Sequence, residues 1–294
     1  MNDYYLQILT VIGINIILAV SLNLISGYTG QLSLGHATFM GLGAYSATLL
    51  VLKLHLPFLV ALILGAAVAA VFGFIIGVPT LRLKGDYLAI ATLGFGEIMR
   101  NIILNLKITG GPMGLRGIPK VTNIYIVVIA VVLTIFSLNR IMNSRVGKSF
   151  IAIREDELAA EAMGINTTRF KILAFVLGAF YAGIAGGLYA FLFRYINPNI
   201  FGFMKSIEIL CMVVLGGMGN TYGAILGAGI ITVLPEFLRS ISPAVSQYRM
   251  VFYGILLVIM MIVRPQGIMG QTDVSVFKGS GIFKRKTVEK GGQE

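Results

Sequence analysis

Apolar runs long enough to cross a bilayer recur along this chain, and they leave few folds open to it. A bilayer core takes about 20 apolar residues, with roughly 17–25 as the usual range. Windows that meet or approach this length fall at 4–25, 32–52, 58–78, 87–106, 121–138, 172–193, 207–217, 221–238 and 248–263. They hold 169 residues and only five charged side chains, whereas the other 125 residues hold thirty. The whole chain is 57% hydrophobic and 12% charged, against about 45–50% and about 25% for soluble proteins. A water-soluble enzyme is excluded on that ground. The expected fold is an all-α, polytopic transmembrane helix bundle of about 8–9 spans over residues 1–270. The window at 207–217 is too short to cross alone, and 248–263 lies near the lower limit. The first run has no basic residues before it and is too long for a signal-peptide core, so it reads as a retained span.

Net charge is +11, from 23 Lys and Arg against 12 Asp and Glu. Nucleic acid is not the implied partner, because the basic residues flank apolar segments as cytoplasmic loops do. The 139–171 connection carries Arg140, Arg145, Lys148, Arg154, Arg169 and Lys171, and the end of the chain carries Arg264, Lys278, Lys284, Arg285, Lys286 and Lys290. Adding Arg82 and Lys84 places fourteen basic residues inside and eight outside, with Arg100 within a span. Nine crossings then put the N-terminus outside. If 207–217 and 221–238 are two half-helices of one crossing, that parity changes. Residues 271–294 read as a disordered, basic cytoplasmic tail. Cys211 is the lone cysteine and the histidines are His36 and His55, so neither a disulfide nor a thiol or histidine metal site can be built.

Small residues recur every fourth position at Gly65, Ala69, Gly73 and Gly77, and again at Gly178, Ala182, Gly186 and Ala190. Such stripes let helix backbones approach closely, and packing within the chain is the favoured use. Two glycine-rich stretches look like broken helices: Ser26-Gly27-Tyr28-Thr29-Gly30-Gln31-Leu32-Ser33-Leu34-Gly35-His36, and Gly216-Gly217-Met218-Gly219-Asn220-Thr221-Tyr222-Gly223. Backbone groups freed inside a membrane must be satisfied by protein or by a water-filled cavity, so both breaks should face the interior. Paired breaks in the two halves of a chain point to a transport pathway and an internal repeat. Asn23, Gln31, Ser33 and His36 are therefore pathway candidates, although repair of the broken helix explains them equally well.

Glu97 and Arg100 lie within the fourth window, with Asn101 one turn from Glu97. A charge at mid-membrane costs about 2.5–3.5 kcal/mol on insertion scales, and a spacing of three allows the two to pair. They are read as a self-neutralised structural pair, with a pathway or gate contact as the sharper alternative. Glu208 and Glu236 are taken to be interfacial, and Met250, Met260 and Met261 to be lipid or core filling.

The 144–171 connection is the most informative polar piece. Glu155, Asp156 and Glu157 suit the N-terminal turn of a helix, Leu158, Ala162 and Met163 give it an apolar stripe, and Gly164 is placed to end it in a left-handed cap. Asn166 or Thr167 can cap the helix that follows. The result is a short cytoplasmic helix of two or three turns stiffly joined to a membrane helix.

Residues Glu157-Leu158-Ala159-Ala160-Glu161-Ala162-Met163-Gly164 resemble the Glu-Ala-Ala-x-x-x-Gly loop of ATP-binding-cassette (ABC) importer permeases, with Leu158 as an extra residue between the glutamate and the alanine pair. Together with Ser21–His36, Leu83–Gly94, Thr109–Leu115 and Arg264–Ile268, the chain resembles the M-type (LivM-like) permeases of branched-chain amino-acid ABC importers over nearly its whole length to about 270. That resemblance implies a permease half in a bacterial or archaeal cytoplasmic membrane. Its partners would be a homologous second permease, two cytoplasmic ATPases and an extracytoplasmic substrate-binding protein. A coupling helix would use Glu157, Ala159, Ala160, Glu161 and Gly164, and ATP and Mg would sit on the ATPases, with no cofactor and no catalytic residue in this chain. Val146-Gly147-Lys148-Ser149 imitates the end of a phosphate-binding G-x-x-x-x-G-K-S/T loop, but Met142 stands where the first glycine belongs. The other readings are a stand-alone secondary transporter or channel for a small polar solute, an ABC permease for urea or short amides, and an intramembrane enzyme, which lacks any catalytic constellation.

Overall fold

The computed structural model describes residues 2–80, 83, 85–241, 249–264 and 266–270. The basic tail at 271–294, and Arg82 and Lys84, lie outside the described residues. The rest is a helix bundle. Its helices are α1 (Asn2–Leu22), extended by a π-helical turn at Asn23–Tyr28, α2 (His36–Leu54), α3 (Phe58–Thr80), α4 (Asp86–Asn105), α5 (Ile124–Met142), α6 (Arg145–Glu155), α7 (Glu157–Ala162), α8 (Thr167–Phe193), α9 (Phe203–Gly216), α10 (Thr221–Ile241) and α11 (Arg249–Val263). Seven of these are long and apolar enough to cross a membrane.

Close backbone approach holds the centre together. The α8 stripe does not meet the α3 stripe, since Gly178 faces Ser21 and Ile25 at the end of α1; toward α3, a Cβ on Gly73 would run into Ala179 and Phe175, and one on Gly183 into Ala66 and Ala69. On the other side of α8, Gly186 lies against the backbone of Met40 and Ala44, and Gly43 against the backbone of Gly183. Lipid tails are as apolar as leucine, so helices in a membrane associate by such packing rather than by hydrophobic burial. Apolar side chains on the outer faces, such as Val71, Phe74, Tyr125, Val132 and Phe136, are correspondingly exposed.

The connections sort the helix ends. Tyr4, Lys120, Thr122, Asn123 and Arg194 surround one open hollow, and beside them β1 (Leu115–Arg116) pairs antiparallel with β2 (Tyr195–Ile196). At the opposite end Thr29, Gly30, Gly85, Arg154, Glu157 and Lys171 line a second hollow. The 144–171 connection and the first glycine break thus lie at the same end.

The region around 207–238 is an antiparallel hairpin rather than one crossing made of two half-helices: Gly216 backs onto Gly223, and Gly227 onto Met212. With 14 residues, α9 is about 21 Å long, short of a bilayer core of about 30 Å. The missing length is supplied by an irregular segment, Asn197 to Gly202, which descends from the β2 end into the bundle. Phe201 stacks edge-on with Tyr45, near the middle of α2. The segment contains a short 3₁₀ turn at Pro198–Phe201; backbone outside an α-helix at this depth is tolerated when protein buries it, and Ile196, Pro198 and Phe201 are buried.

Adding a side chain at a backbone contact should cost more than adding one on an open face. Gly186→Leu is expected to lower thermal stability of the detergent-purified protein by about 3 kcal/mol. Gly254→Leu, at a position with no neighbour within 4 Å, should leave the melting temperature within a degree or two. Equal shifts in a scanning fluorimetry series would contradict the packing described.

Candidate functional site

The two glycine breaks meet each other, and one arginine lies across both. After α1 the backbone opens, and local groups repair most of it: Gln31 N–H donates to the Ile25 carbonyl at 3.1 Å, Thr29 Oγ1 to the same carbonyl at 2.6 Å and Ser26 Oγ to the Gln31 carbonyl at 3.1 Å. From the second break, Gly219 N–H donates to Asn23 Oδ1 at 2.8 Å. The Arg154 guanidinium donates to the Gly27 carbonyl at 2.8 Å. Neither glycine has room for a side chain: a Cβ on Gly27 would strike Asn23 and the Gly219 backbone, and one on Gly219 would strike Arg154. Tyr28 and Thr221 close the contact with a 2.9 Å hydroxyl pair. Sequence reasoning treated Arg154 only as a topology charge, because nothing local marks a residue whose partner is 127 positions away.

Arg154 sits in the last turn of α6, immediately before α7. The sequence led us to expect a single helix beginning near Glu155; instead α6 forms first and ends at Asp156. That residue is extended (φ −156°), and its carboxylate caps α7 by accepting from Leu158 N–H and Ala159 N–H. Gly164 adopts φ +83°, the left-handed geometry the sequence suggested, and Asn166 caps α8 by accepting from Arg169 N–H. Glu157 forms a 2.6 Å ion pair with Lys171, and Glu161 accepts from Thr167 Oγ1 at 2.6 Å. These contacts fasten α7 to the start of α8. Ala160 is 4% exposed and faces the protein's own interior, whereas Leu158 is 70% and Met163 83% exposed. Of the residues expected to meet a partner here, Ala160 and Glu157 are therefore turned inward. The outward surface is made by Leu158, Ala159, Ala162 and Met163. Val146–Ser149 are helical within α6, a conformation that cannot cradle a phosphate.

Asn23, Gln31, Ser33 and His36 are all buried. His36 Nε2 lies 2.8 Å from Ser21 Oγ. Asn23 Nδ2, both amide atoms of Gln31, Ser33 Oγ and His36 Nδ1 have no hydrogen-bond partner among the described residues. Buried polar atoms in folded proteins are otherwise nearly always paired, and each unpaired one costs about 1–3 kcal/mol. Repair of the breaks thus accounts for Ser26, Thr29 and Asn23 Oδ1, and leaves Asn23 Nδ2 and the side chains of Gln31 and Ser33, with His36 Nδ1, as polar atoms that it does not use.

Glu97 and Arg100 pair at 2.7 Å, with side chains 36% and 32% exposed. Arg100 also donates to Asn199 Oδ1 at 3.1 Å, bracing α4 against the irregular segment. Asn101 takes no part, since its amide donates to the Glu97 backbone carbonyl at 2.8 Å. Glu236 accepts from the Tyr4 hydroxyl at the end of the bundle, where an interfacial position was expected. Glu208 departs from that expectation: it pairs with Lys205 at 2.9 Å, and Lys205 donates to Asn15 Oδ1 at 3.2 Å, halfway along α1.

Replacing Arg154 by Ala should free the Gly27 carbonyl and loosen both breaks, a loss of about 1.5–3 kcal/mol for a hydrogen bond to a charged group. Amides over 24–31 are then expected to exchange with deuterium roughly ten- to a hundredfold faster in detergent. Unchanged protection there would remove Arg154 as the tie.

Comparison with known proteins gives this architecture a family. Residues 4–261 match the family model described as a branched-chain amino acid transport system permease component. The chain is 39% identical to the high-affinity branched-chain amino acid transport permease LivM of Salmonella typhimurium, over 95% of this chain and 73% of that protein. It is 27% identical to a probable LivM of Methanocaldococcus jannaschii, over 72% and 69% of the two chains. The permease LivH of Escherichia coli is 39% identical over 48% of this chain and 44% of its own. Among solved structures, PsaBC from Streptococcus pneumoniae in complex with Fab aligns with a TM-score of 0.50 at 16% identity, covering 89% of this chain and 92% of that one, a likeness of fold alone. This multi-pass membrane chain belongs to the branched-chain amino acid transport permease family.

Proposed function

We propose that the chain is the M-type permease half of an ABC importer for leucine, isoleucine and valine in a bacterial or archaeal cytoplasmic membrane. It would pair with a homologous H-type permease. Two cytoplasmic ATPases, which carry ATP and Mg, would drive it, and an extracytoplasmic binding protein would supply the solute. The similarity to both LivM and LivH supports the permease pair.

One observation carries the reading. A short helix, α7, holds out the apolar pair Leu158 and Met163, and Arg154, in the turn of α6 that leads into it, donates to Gly27 of the first glycine break and packs over Gly219 of the second. Exposed apolar side chains rimmed by charge on a polar connection mark a docking surface. Closure of the ATPases would shift α7, and the α6–α7 connection would pass that shift through Arg154 to the end of the π-helical turn at Gly27 and to Gly219. The wall that holds Asn23, Gln31, Ser33 and His36 would then open or close toward the solute. The Glu97–Arg100 pair would act as a brace in this scheme.

Leu158→Glu combined with Met163→Glu should leave membrane insertion and pairing with the second permease intact, while at least tenfold less ATPase subunit co-purifies and leucine uptake falls in proportion. Gly164→Leu, which forces a branched side chain into φ +83°, should uncouple in the same way. Normal co-purification and normal uptake in both variants would refute the docking role of α7.

A further inference from the structure

The bundle holds a charged cluster that neither the glycine breaks nor α7 uses. Lys205 Nζ lies 2.9 Å from Glu208 Oε1 and 3.2 Å from Asn15 Oδ1. Asn15 in turn donates through Nδ2 to Thr232 Oγ1 at 2.9 Å. Asn15 falls near the middle of the Tyr4–Tyr28 span and Thr232 near the middle of α10, so the cluster sits at mid-depth. Both charged side chains are largely buried, at 15% and 17% exposure.

Local stability does not explain the pair. Lys205 is the third residue of α9, where a cation opposes the positive end of the helix dipole. Lysine placed before glutamate along a helix is also the weaker orientation for a side-chain ion pair. Charges that break local rules inside a membrane mark functional sites by default.

A route leads toward them. Between α1 and α10 runs a groove of about 360 Å³ with apolar walls at Ile8, Val11 and Phe193 and with Glu236 and Arg239 toward its mouth. Thr232 lines it, and Val11 lies one turn from Asn15. The Asn15–Thr232 hydrogen bond therefore stands between the groove and the charged pair.

We propose that Lys205 and Glu208, screened by the Asn15–Thr232 hydrogen bond, form a mid-membrane station that takes the carboxylate and the ammonium of a zwitterionic α-amino acid. An ammonium has three donors and a carboxylate several acceptor positions; the two contacts of Lys205 leave a donor for a ligand carboxylate, and Glu208 Oε2 remains to accept from a ligand ammonium. A neutral ion pair exchanging partners with a neutral zwitterion moves no net charge into the membrane. Nothing in the cluster reads the ligand's side chain, which the apolar groove wall would accommodate. The proposal rests on the amino-acid importer reading above and gives it a site.

The test uses the complete importer in proteoliposomes with its binding protein. Lys205→Met with Glu208→Gln is expected to cut leucine uptake at least tenfold while ATP hydrolysis stays within twofold. The charge swap Lys205→Glu with Glu208→Lys should recover part of the uptake. Uptake within twofold of the unaltered complex in the Met/Gln variant would overturn the station. An independent measurement does not depend on those variants assembling. With Cys211→Ala and Val11→Cys, leucine turnover should slow modification by a small thiosulfonate severalfold, and no slowing would overturn the proposal. If the unaltered complex carries urea but no α-amino acid, the importer reading itself fails; leucine uptake indifferent to the pair refutes the station alone.

Discussion

A carbonyl that leaves its helix where protein buries it must be met by some other part of the protein, and Arg154 meets that demand for Gly27. Its guanidinium binds the Gly27 carbonyl and fills the space over Gly219, so the end of α1, the α9–α10 turn and the α6–α7 connection share one contact. Without it, two stretches of open backbone would face each other with a freed carbonyl between them. The glycines follow from the same geometry, since only a residue without a Cβ lets the breaks lie this close. In the proposed scheme this contact would serve as the joint between the helix at the surface and the glycine breaks.

Around that joint the bundle divides into parts of different stiffness. The α2, α3 and α8 packing is backbone against backbone, through Gly43, Gly73, Gly183 and Gly186, and close-packed interiors transmit displacement rather than absorb it. The glycine breaks and the segment at 197–202 lack continuous α-helical bonding, being π-helical at Asn23–Tyr28 and 3₁₀ at Pro198–Phe201, and side chains supply some of the missing partners. Movement is cheapest where a few side-chain hydrogen bonds, rather than a run of helical ones, must change.

Much of this was legible in the sequence, and the rest was hidden for identifiable reasons. Apolar runs marked the helices to within a few residues because hydrocarbon imposes length and composition together. The caps at Gly164 and Asn166 were readable because capping is local chemistry, whereas Asp156 was placed in a first turn and proves to be the cap itself. The division of the connection into α6 and α7 was missed, since Arg145–Glu155 carries no terminating glycine or proline. Lys205 was counted as an outside charge and Glu208 as interfacial because a hydropathy window assumes straight spans. The irregular segment before α9 carries both to mid-depth, and a descent of that kind has no periodicity to detect. Ala160 belonged to a matched motif, yet which face of a six-residue helix turns inward is decided by its tertiary neighbours. Asn23, Gln31, Ser33 and His36 could be read as polar residues in a break, but only the geometry shows that Asn23 meets the second break while the side chains of Gln31 and Ser33 take no part in the repair.

The central claim is that α7 and the glycine breaks move as one body against the packed core, tied by Arg154. Spin labels on the assembled importer at Ala162 and Tyr222, and at Ala162 and Leu59, test it by pulsed dipolar spectroscopy with and without a non-hydrolysable ATP analogue. The account predicts that nucleotide leaves the Ala162–Tyr222 distance unchanged and shifts Ala162–Leu59, and that Arg154→Ala lets the first distance vary as well. A fixed Ala162–Leu59 distance in the intact protein, or an Ala162–Tyr222 distance that changes while Arg154 is present, would contradict it.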